Sequence, residues 1–345
     1  MGITRVGIIG LGRMGMTHFS ILNPRKDIEI VAVAEPSGLI RTVLGKYKPE
    51  IKLFEDYKEL LYEEIVDAII VCTPPYCHYS VIKMAGQRGV HVFSEKPFTT
   101  KSSDGSDLSK DFIGKGLVNQ VGYVNRYNDV FVKAREIIES GIIGQILRFS
   151  SEMYSATVTK PESGDGWRSS TKYGGGVVYE MASHSIDLVN FLIGKPDNVV
   201  GSVLSRVYSK NVDDIVSSTF TYNNGVAGTI CVNWSDPSFR KPTNKFEITG
   251  TEGKILADQH SLKIFLHSEN PARNLIKGWN TFHITDIFHP VPFYVRGNEF
   301  TRQLYEFIDC VRGEANKNQC TFEDGVNTLQ IIEAIYDDYF KNSAL

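Results

Sequence analysis

The chain has 345 residues, 42% of them hydrophobic and 22% charged, with a formal net charge of −3. That length suits two domains rather than one, and the composition is that of a soluble globular protein. The charge balance excludes a basic field for nucleic acid, and no apolar run approaches the roughly 18 residues of a membrane helix. No charged n-region and apolar h-region precede the first strand, so the expected location is cytoplasmic.

Strands are expected at 4–9, 28–34, 67–72, 90–93 and 117–121, with helical patterns near 13–22, 38–47, 56–63, 77–88 and 104–114. This alternation predicts parallel strands joined by crossover helices, a doubly wound α/β sheet. After about residue 122 the pattern changes. A helix over 127–140 closes at Gly141, Gln145–Tyr154 reads as a strand, and 155–173 is a loop rich in Ser, Gly and Thr. Gly174-Gly175-Gly176 opens a helix that ends at Gly194. Longer alternating strands follow at 198–208, 214–222, 226–233, 244–249, 253–257 and 262–266, with Asn223-Asn224-Gly225 as a hairpin turn. Residues 268–292 carry little pattern, and helices close the chain at 298–312 and 323–341. The expectation is a dinucleotide-binding domain over 1–122. An α+β domain with a large, mostly antiparallel open sheet follows over 123–345, its helices on one face.

The chemistry begins where the first strand breaks into Gly10-Leu11-Gly12-Arg13-Met14-Gly15. If a dinucleotide lies here, Gly10 makes the tight turn, Gly12 admits the pyrophosphate close to the backbone, and Gly15 lets helix pack on strand. The helix N-terminus then offers its unpaired N–H groups to the phosphates. Glu35 ends the second strand, 20 residues after Gly15. An acid there suits an adenosine ribose and repels a 2′-phosphate, favouring NAD over NADP. Ligands of such sheets lie beyond the C-terminal ends of the strands. That rule also puts Thr73-Pro74-Pro75-Tyr76 and Glu95-Lys96-Pro97 on the cofactor shelf.

Lys96 points into the crevice beyond the sheet, where its ammonium can donate to a nicotinamide ribose or a substrate hydroxyl; the plainer alternative is a solvated loop lysine. In the helix over 177–192, Glu180, His184 and Asp187 fall on one face of an otherwise apolar or small-residue pattern. A polar stripe there is costly unless satisfied or used, so the choice is between a structural network and proton exchange near neutrality. Trp167-Arg168 precedes the glycine triplet, which either brings backbone close to a ligand or gives a flexible helix entry. Tyr123, Asn125 and Arg126 stand at the domain junction. Trp167, Arg168, Arg240, Tyr294 and Arg296 leave open a phosphate, a nucleotide or no ligand at all. The five cysteines, Cys72, Cys77, Cys231, Cys310 and Cys320, are scattered and odd in number, as reduced thiols are. Cys72 and Cys77 have no second Cys/His pair at ligand spacing, so no metal is expected.

Together these pieces resemble the glucose–fructose oxidoreductase/inositol dehydrogenase family of NAD(P)-dependent oxidoreductases. The match runs through Gly10-x-Gly12-x-x-Gly15, Thr73-Pro74 to His78, Glu95-Lys96-Pro97, Gly122-x-x-x-Arg126, Trp167-Arg168, Gly174-Gly175-Gly176 with Glu180-x-x-x-His184-x-x-Asp187, and Asp324-Gly325. The resemblance implies an N-terminal Rossmann domain and a C-terminal domain whose open sheet commonly carries the oligomer interface, hence a homodimer or homotetramer. It also implies a Lys96–Pro97 bond that is often cis. It assigns Lys96 and His184 as the catalytic lysine and histidine, with Glu180 where the family usually has Asp. The implied cofactor residues are Gly10, Gly12, Arg13, Met14, Gly15, Glu35, Thr73, Pro74, His78, Glu95 and Lys96. At His78, packing of the loop is the stronger reading. The implied substrate residues are Lys96, Tyr123, Arg126, Trp167, Arg168 and His184.

The expected activity is hydride transfer between NAD(H) and a secondary alcohol of a sugar, cyclitol, sugar phosphate or nucleotide-sugar. His184 would serve as base and Lys96 would stabilise the developing alkoxide. Two other readings use the same scaffold. A non-catalytic NAD-binding sensor would dispense with the proton-transfer residues, both of which stand here. An NAD-dependent glycosidase would hold its cofactor tightly and release no NADH.

Overall fold

A computed structural model describes residues 2–316 and 318–343. The chain divides into two units. The first runs to Tyr127 and regains Pro290–Val326; the second comprises Asn128–His289 and the chain from Asn327 onward. A single boundary at 122/123 therefore does not describe the division, because a later stretch of chain returns to the first unit.

The first unit is built on six strands: β1 (Thr4–Ile9), β2 (Ile28–Ala34), β3 (Lys52–Phe54), β4 (Ala68–Val71), β5 (His91–Ser94) and β6 (Asn119–Val121). All pairings are parallel and the order is β3-β2-β1-β4-β5-β6. This is the doubly wound Rossmann arrangement, with its switch point between β1 and β4. The central strands are apolar on both faces, as helices on both sides of a parallel sheet require; every residue of β4 is buried. The crossover helices are α1 (Arg13–Leu22), α2 (Gly38–Tyr47), α3 (Tyr57–Glu63), α4 (Pro75–Gln87) and α5 (Ser102–Gly114). Their starts follow ordinary capping chemistry. The Asp56 side chain accepts from Lys58 N–H at 2.8 Å, and Pro75 opens α4 where no N–H is needed. The short edge strand β3 had no sequence forecast; three residues give period-2 alternation nothing to show.

The returning segment carries α9 (Asn298–Val311), numbered after the three helices of the second unit, α6 (Asp129–Glu139), α7 (Ser183–Leu192) and the short α8 (Ile284–Ile287). Leu304, Phe307 and Ile308 of α9 are fully buried in one cluster with Val6, Ile8 and Phe93. Phe93 meets Phe307 edge-on at 6.0 Å. At the far end of α9, the Arg25 guanidinium bridges Asp27 and Asp309, and Arg312 pairs with Asp27. Residues 290–326 thus supply part of the first unit's own core.

The second unit holds an eight-stranded sheet of β7 (Ile146–Tyr154), β8 (Asn198–Ser205), β9 (Ile215–Thr221), β10 (Ala227–Asn233), β11 (Thr243–Gly250), β12 (Gly253–Asp258), β13 (Ser261–Leu266) and β14 (Gly278–His283). Its order is β14-β13-β12-β11-β7-β10-β9-β8, antiparallel except where β7 runs beside β10. Burial alternates along most of β7 and along β9 to β13, so Phe149, Ile230, Phe246, Ile248, Ile255 and Ile264 make the inner face. Helices α6 and α7 pack on that face. The strand β14 lies in the stretch that carried little pattern. It is an edge strand with Trp279 and Thr281 turned to solvent, so no apolar alternation marks it. The last helix, α10 (Phe322–Ser343), begins in the first unit and continues in the second.

Candidate active site

The first unit gathers its polar groups at the C-terminal ends of β1, β2, β4 and β5. The glycine turn is demanded partly by the fold. A Cβ at Gly15 would stand 2.0 Å from the Gly10 carbonyl oxygen, and one at Gly10 would stand 2.9 Å from the Cys72 backbone. Gly12 is different: a Cβ there would meet no protein atom within 4 Å. The protein itself does not require glycine at that position, whereas a pyrophosphate lying on the turn does. Helix α1 starts at Gly12 with no side-chain cap, leaving its first N–H groups for an anion.

Glu35 is buried, with both carboxylate oxygens engaged. Oε2 accepts from Leu11 N–H at 2.7 Å, inside the glycine turn, and Oε1 accepts from Ser37 N–H at 2.9 Å. The acid therefore braces the turn as well as facing the place where a ribose would sit. Arg41 donates to the Glu35 and Pro36 carbonyls and pairs with Glu55 at 2.8 Å. The Thr73 hydroxyl is buried at the end of β4 with no hydrogen-bond partner among the described residues. Such an orphan on the shelf is what a ligand's polar group would satisfy. These features fit NAD. Arg13, Met14 and Pro74 lie on the same rim.

The Lys96–Pro97 peptide is cis. His78 pins this loop: Nδ1 lies 3.0 Å from the Pro97 carbonyl and 3.1 Å from that of Phe98, and Nε2 lies 2.8 Å from the Thr73 carbonyl. The ring is fully buried, and burial pushes its pKa down against those hydrogen bonds. His78 thus joins the two shelf loops to each other, and its ring nitrogens are taken up by protein carbonyls rather than offered to a cofactor. Glu95 receives His18 Nε2 at 2.7 Å on one oxygen and the Lys96 N–H at 3.3 Å on the other. Burial drives its carboxyl upward, but His18 and Lys96 outweigh this and hold it below the usual range.

Sequence spacing did not bring Arg296 to this shelf; the returning segment does. The guanidinium of Arg296 stacks over Phe300 at 5.2 Å and feels both Arg13 and Glu95. Burial and the like charge of Arg13 lower its pKa. Two arginines beside the glycine turn suit phosphate oxygens. Tyr123 and Arg126 lie further in. Arg126 is 4% exposed and donates to the Gln319 carbonyl at 2.7 Å while pairing with Asp324 at 2.9 Å. Through these contacts the arginine holds the Asp324 end of the returning segment.

In the second unit the expected helix opens as a π-turn over Val178–Ala182 before α7 begins. Such single turns recur at functional sites. Asp213 shapes this one by accepting from Val178 N–H at 3.0 Å and from the Tyr336 hydroxyl at 2.7 Å. Burial raises its pKa against those bonds. The glycine triplet serves the fold here. A Cβ at Gly175 would stand 2.1 Å from the Arg168 carbonyl oxygen, so glycine lets the Trp167–Ser169 turn pack on the π-turn. That packing brings Arg168 Nε to Glu180 Oε2 at 3.1 Å and stacks its guanidinium over Trp167 at 5.1 Å. Glu180 and His184 are half-buried and Asp187 is fully buried.

No group of His, Cys, Asp or Glu among the described residues could hold a metal ion, and no helix there is long and apolar enough to cross a membrane. Residues 4–123 match the model of the oxidoreductase family with an NAD-binding Rossmann fold, and residues 131–256 match that of the GFO/IDH/MocA C-terminal domain. The scyllo-inositol 2-dehydrogenase (NAD(+)) of Bacillus subtilis strain 168 is 25% identical over 319 residues, 89% of this chain and 86% of its own. The inositol 2-dehydrogenase of Salmonella typhimurium is 30% identical over 218 residues, 62% of this chain and 60% of its own. Among solved structures, a levoglucosan dehydrogenase in complex with NADH and L-sorbose superposes with a TM-score of 0.87 at 22% identity, covering 99% of this chain and 98% of that one. A Rossmann unit that fits NAD, a second unit with a broad open sheet, and family models matching both place this chain in the GFO/IDH/MocA family of NAD-binding oxidoreductases.

Proposed function

We propose that the protein oxidises a ring carbinol of a cyclitol or sugar with NAD, or reduces the corresponding ketone with NADH. The observation that carries this reading is the Arg168–Glu180 pair beside His184. Along 177–192 nearly every residue is buried, yet Glu180 and His184 remain partly open. A guanidinium and a carboxylate 3.1 Å apart offer donors and acceptors at the spacing of adjacent hydroxyls on a ring. The inositol dehydrogenases among the relatives support the same class.

In this reading bound NAD supplies the carbon that accepts a hydride from the carbinol. His184 takes the hydroxyl proton as base. On the first unit the Lys96 ammonium is the donor suited to an oxygen on which negative charge develops, an electrostatic contribution on the order of a few kcal/mol. Glu180, with one methylene more than the family's usual Asp, holds Arg168 and fixes a neighbouring hydroxyl. Glu35 takes the adenosine ribose, and the turn from Gly10 to Gly15 takes the pyrophosphate. The retention of both Lys96 and His184 favours an enzyme over a sensor.

The test is NADH formation followed by absorbance against a panel of inositols, aldoses, sugar phosphates and nucleotide-sugars. Turnover with at least one free cyclitol or sugar, stoichiometric in NADH, is the expected result. Binding of NAD with no turnover on any of them would favour the sensor. Glycoside cleavage with no NADH release would favour the glycosidase.

A further inference from the structure

At the adenosine end of the cofactor shelf an arginine stands between two acids. Strands β2 and β3 run parallel with Ala34 opposite Phe54, so the next residue of each, Glu35 and Glu55, emerges at the same edge of the sheet. Arg41 of α2 reaches both. Its Nη1 donates to the Glu35 carbonyl at 2.5 Å and to the Pro36 carbonyl at 2.9 Å, and its Nη2 donates to Glu55 Oε2 at 2.8 Å. The guanidinium thus rests on the backbone of the very residue whose carboxylate faces the ribose. Beside it α2 opens at Ser37, whose N–H goes to Glu35 Oε1 and whose hydroxyl accepts from Ile40 N–H at 3.4 Å. There is room over this first turn. A Cβ on Gly38 would have a single neighbour within 4 Å among the described residues outside its own helix, Arg41 Nη2 at 3.9 Å.

A planar cation with paired donors, set beside an adenosine ribose, is what a 2′-phosphate takes. Here that cation is engaged. The Glu35 and Pro36 carbonyls are neutral acceptors, which a phosphate dianion displaces. The Glu55 carboxylate is an anion and competes with the phosphate for the same N–H groups. We propose that Glu55 is a specificity-determining residue for the cofactor: it holds Arg41 at the end of β3, so that the corner over Gly38 offers a 2′-phosphate no cation to offset the charge of Glu35. This rests on NAD lying across the glycine turn with its ribose at Glu35. Discrimination then belongs to three residues rather than one. Glu35 takes the ribose and repels the phosphate, and Glu55 withholds the arginine that would otherwise compensate. The Glu55 side chain is 70% exposed and that of Arg41 22%. A pair so open to solvent adds little to stability, so its effect on cofactor choice is separable from folding.

Titration of the full chain with NADH and with NADPH, followed by nicotinamide fluorescence, tests this without any substrate. The readout is the ratio of the two dissociation constants. Glu55→Gln keeps the shape of the side chain and removes its charge. In that variant the ratio should move toward NADPH by about three- to tenfold, with NADH affinity within about twofold of wild type. The gain should depend on the arginine. Adding Glu55→Gln to Arg41→Met should leave the ratio within about twofold of that of Arg41→Met alone. Unchanged selectivity in Glu55→Gln overturns the proposal. An equal shift with and without Arg41 does so as well, because Glu55 then acts through its own charge and not through the arginine. The cofactor reading is judged separately, by wild type. A wild-type chain that binds neither dinucleotide defeats that reading and the proposal with it. A wild-type chain that binds NADH tightly, with Glu55→Gln equally selective, defeats the proposal alone.

Discussion

Glu35 does two things with one carboxylate, and they can be pulled apart. Its oxygens brace Leu11 and Ser37, and its charge opposes a 2′-phosphate. Like charges about 4 Å apart at an effective dielectric near 20 repel by about 4 kcal/mol, so wild type should bind NAD(H) far more tightly than NADP(H). In Glu35→Ala the repulsion goes and Arg41 stands close by, but the brace goes too. NAD(H) affinity should drop about tenfold while NADP(H) affinity rises, as fluorescence titration with both cofactors would record. Equal binding of the two by wild type would mean that another residue sets the preference. A second residue-scale expectation concerns His184→Ala. Turnover should fall by about two to four orders of magnitude, as loss of a general base does, with NAD(H) affinity nearly unchanged because the cofactor residues belong to the first unit. Full activity from pH 6 to 9 would hand the base role to Lys96 or Tyr123. Glu35 and Lys96 were legible because each follows a strand at a fixed offset from a glycine or proline signal. His18 was not, and Arg296 was singled out only as one basic residue among several. The partner of His18 lies 77 residues away, and Arg13 and Glu95 lie far across the chain from Arg296, so no local spacing encodes these contacts.

At the scale of elements, strong periodicity was readable and short or edge pieces were not. The parallel strands announced themselves as apolar runs, whereas β3 is too short and β14 too exposed to show a pattern. The π-turn at Val178–Ala182 also escaped, because its cause is a distant carboxylate, Asp213, holding the Val178 N–H. The neighbouring Asp214 tests how far single acids hold loops in place. It is fully buried: Oδ2 accepts three successive backbone N–H groups, from Val207, Tyr208 and Ser209 at 2.5–2.9 Å, and Oδ1 accepts from Trp234 Nε1 at 2.5 Å. Burial pushes its carboxyl up, but the bonds from Ser209, Trp234 and Val207 prevail and hold it below the ordinary range. An unfolded Asp titrates near ~3.9. A lowered folded-state pKa means that the carboxylate's stabilisation is complete above that value and disappears as pH falls through the lower one. Asp214→Asn cannot accept at both ends, so it should lose on the order of 2–3 kcal/mol at neutral pH and show a flatter acid limb. Thermal melts from pH 2.5 to 7 check this; a variant as stable as wild type at pH 7 would deny Asp214 its anchoring role.

For the whole molecule, two features follow from chain path rather than from local pattern. One is the return of 290–326 to the first unit, which no linear boundary can express; only the buried Leu304, Phe307 and Ile308 reveal where α9 belongs. The other is the uncovered face of the eight-stranded sheet. Helices pack on one side, and the opposite side is mixed in character. Lys245 lies between Glu152 and Asp258 on adjoining strands, Leu256 lies beside Lys263, and Phe265 meets Trp279 at 5.4 Å. An antiparallel sheet can leave such a face to water. Rows of alternating charge around apolar side chains are, however, complementary to themselves when a two-fold axis lays one copy over another. The expected assembly is therefore a homodimer, or a tetramer of such dimers, with this face against its own copy. Light scattering at micromolar concentration should give at least twice the mass of one chain. Phe265→Glu, which places an unpaired carboxylate in the patch, should shift the protein toward monomer while leaving the far-UV spectrum unchanged. A wild-type protein that scatters as a monomer would leave the sheet face solvated and remove the need for a second copy.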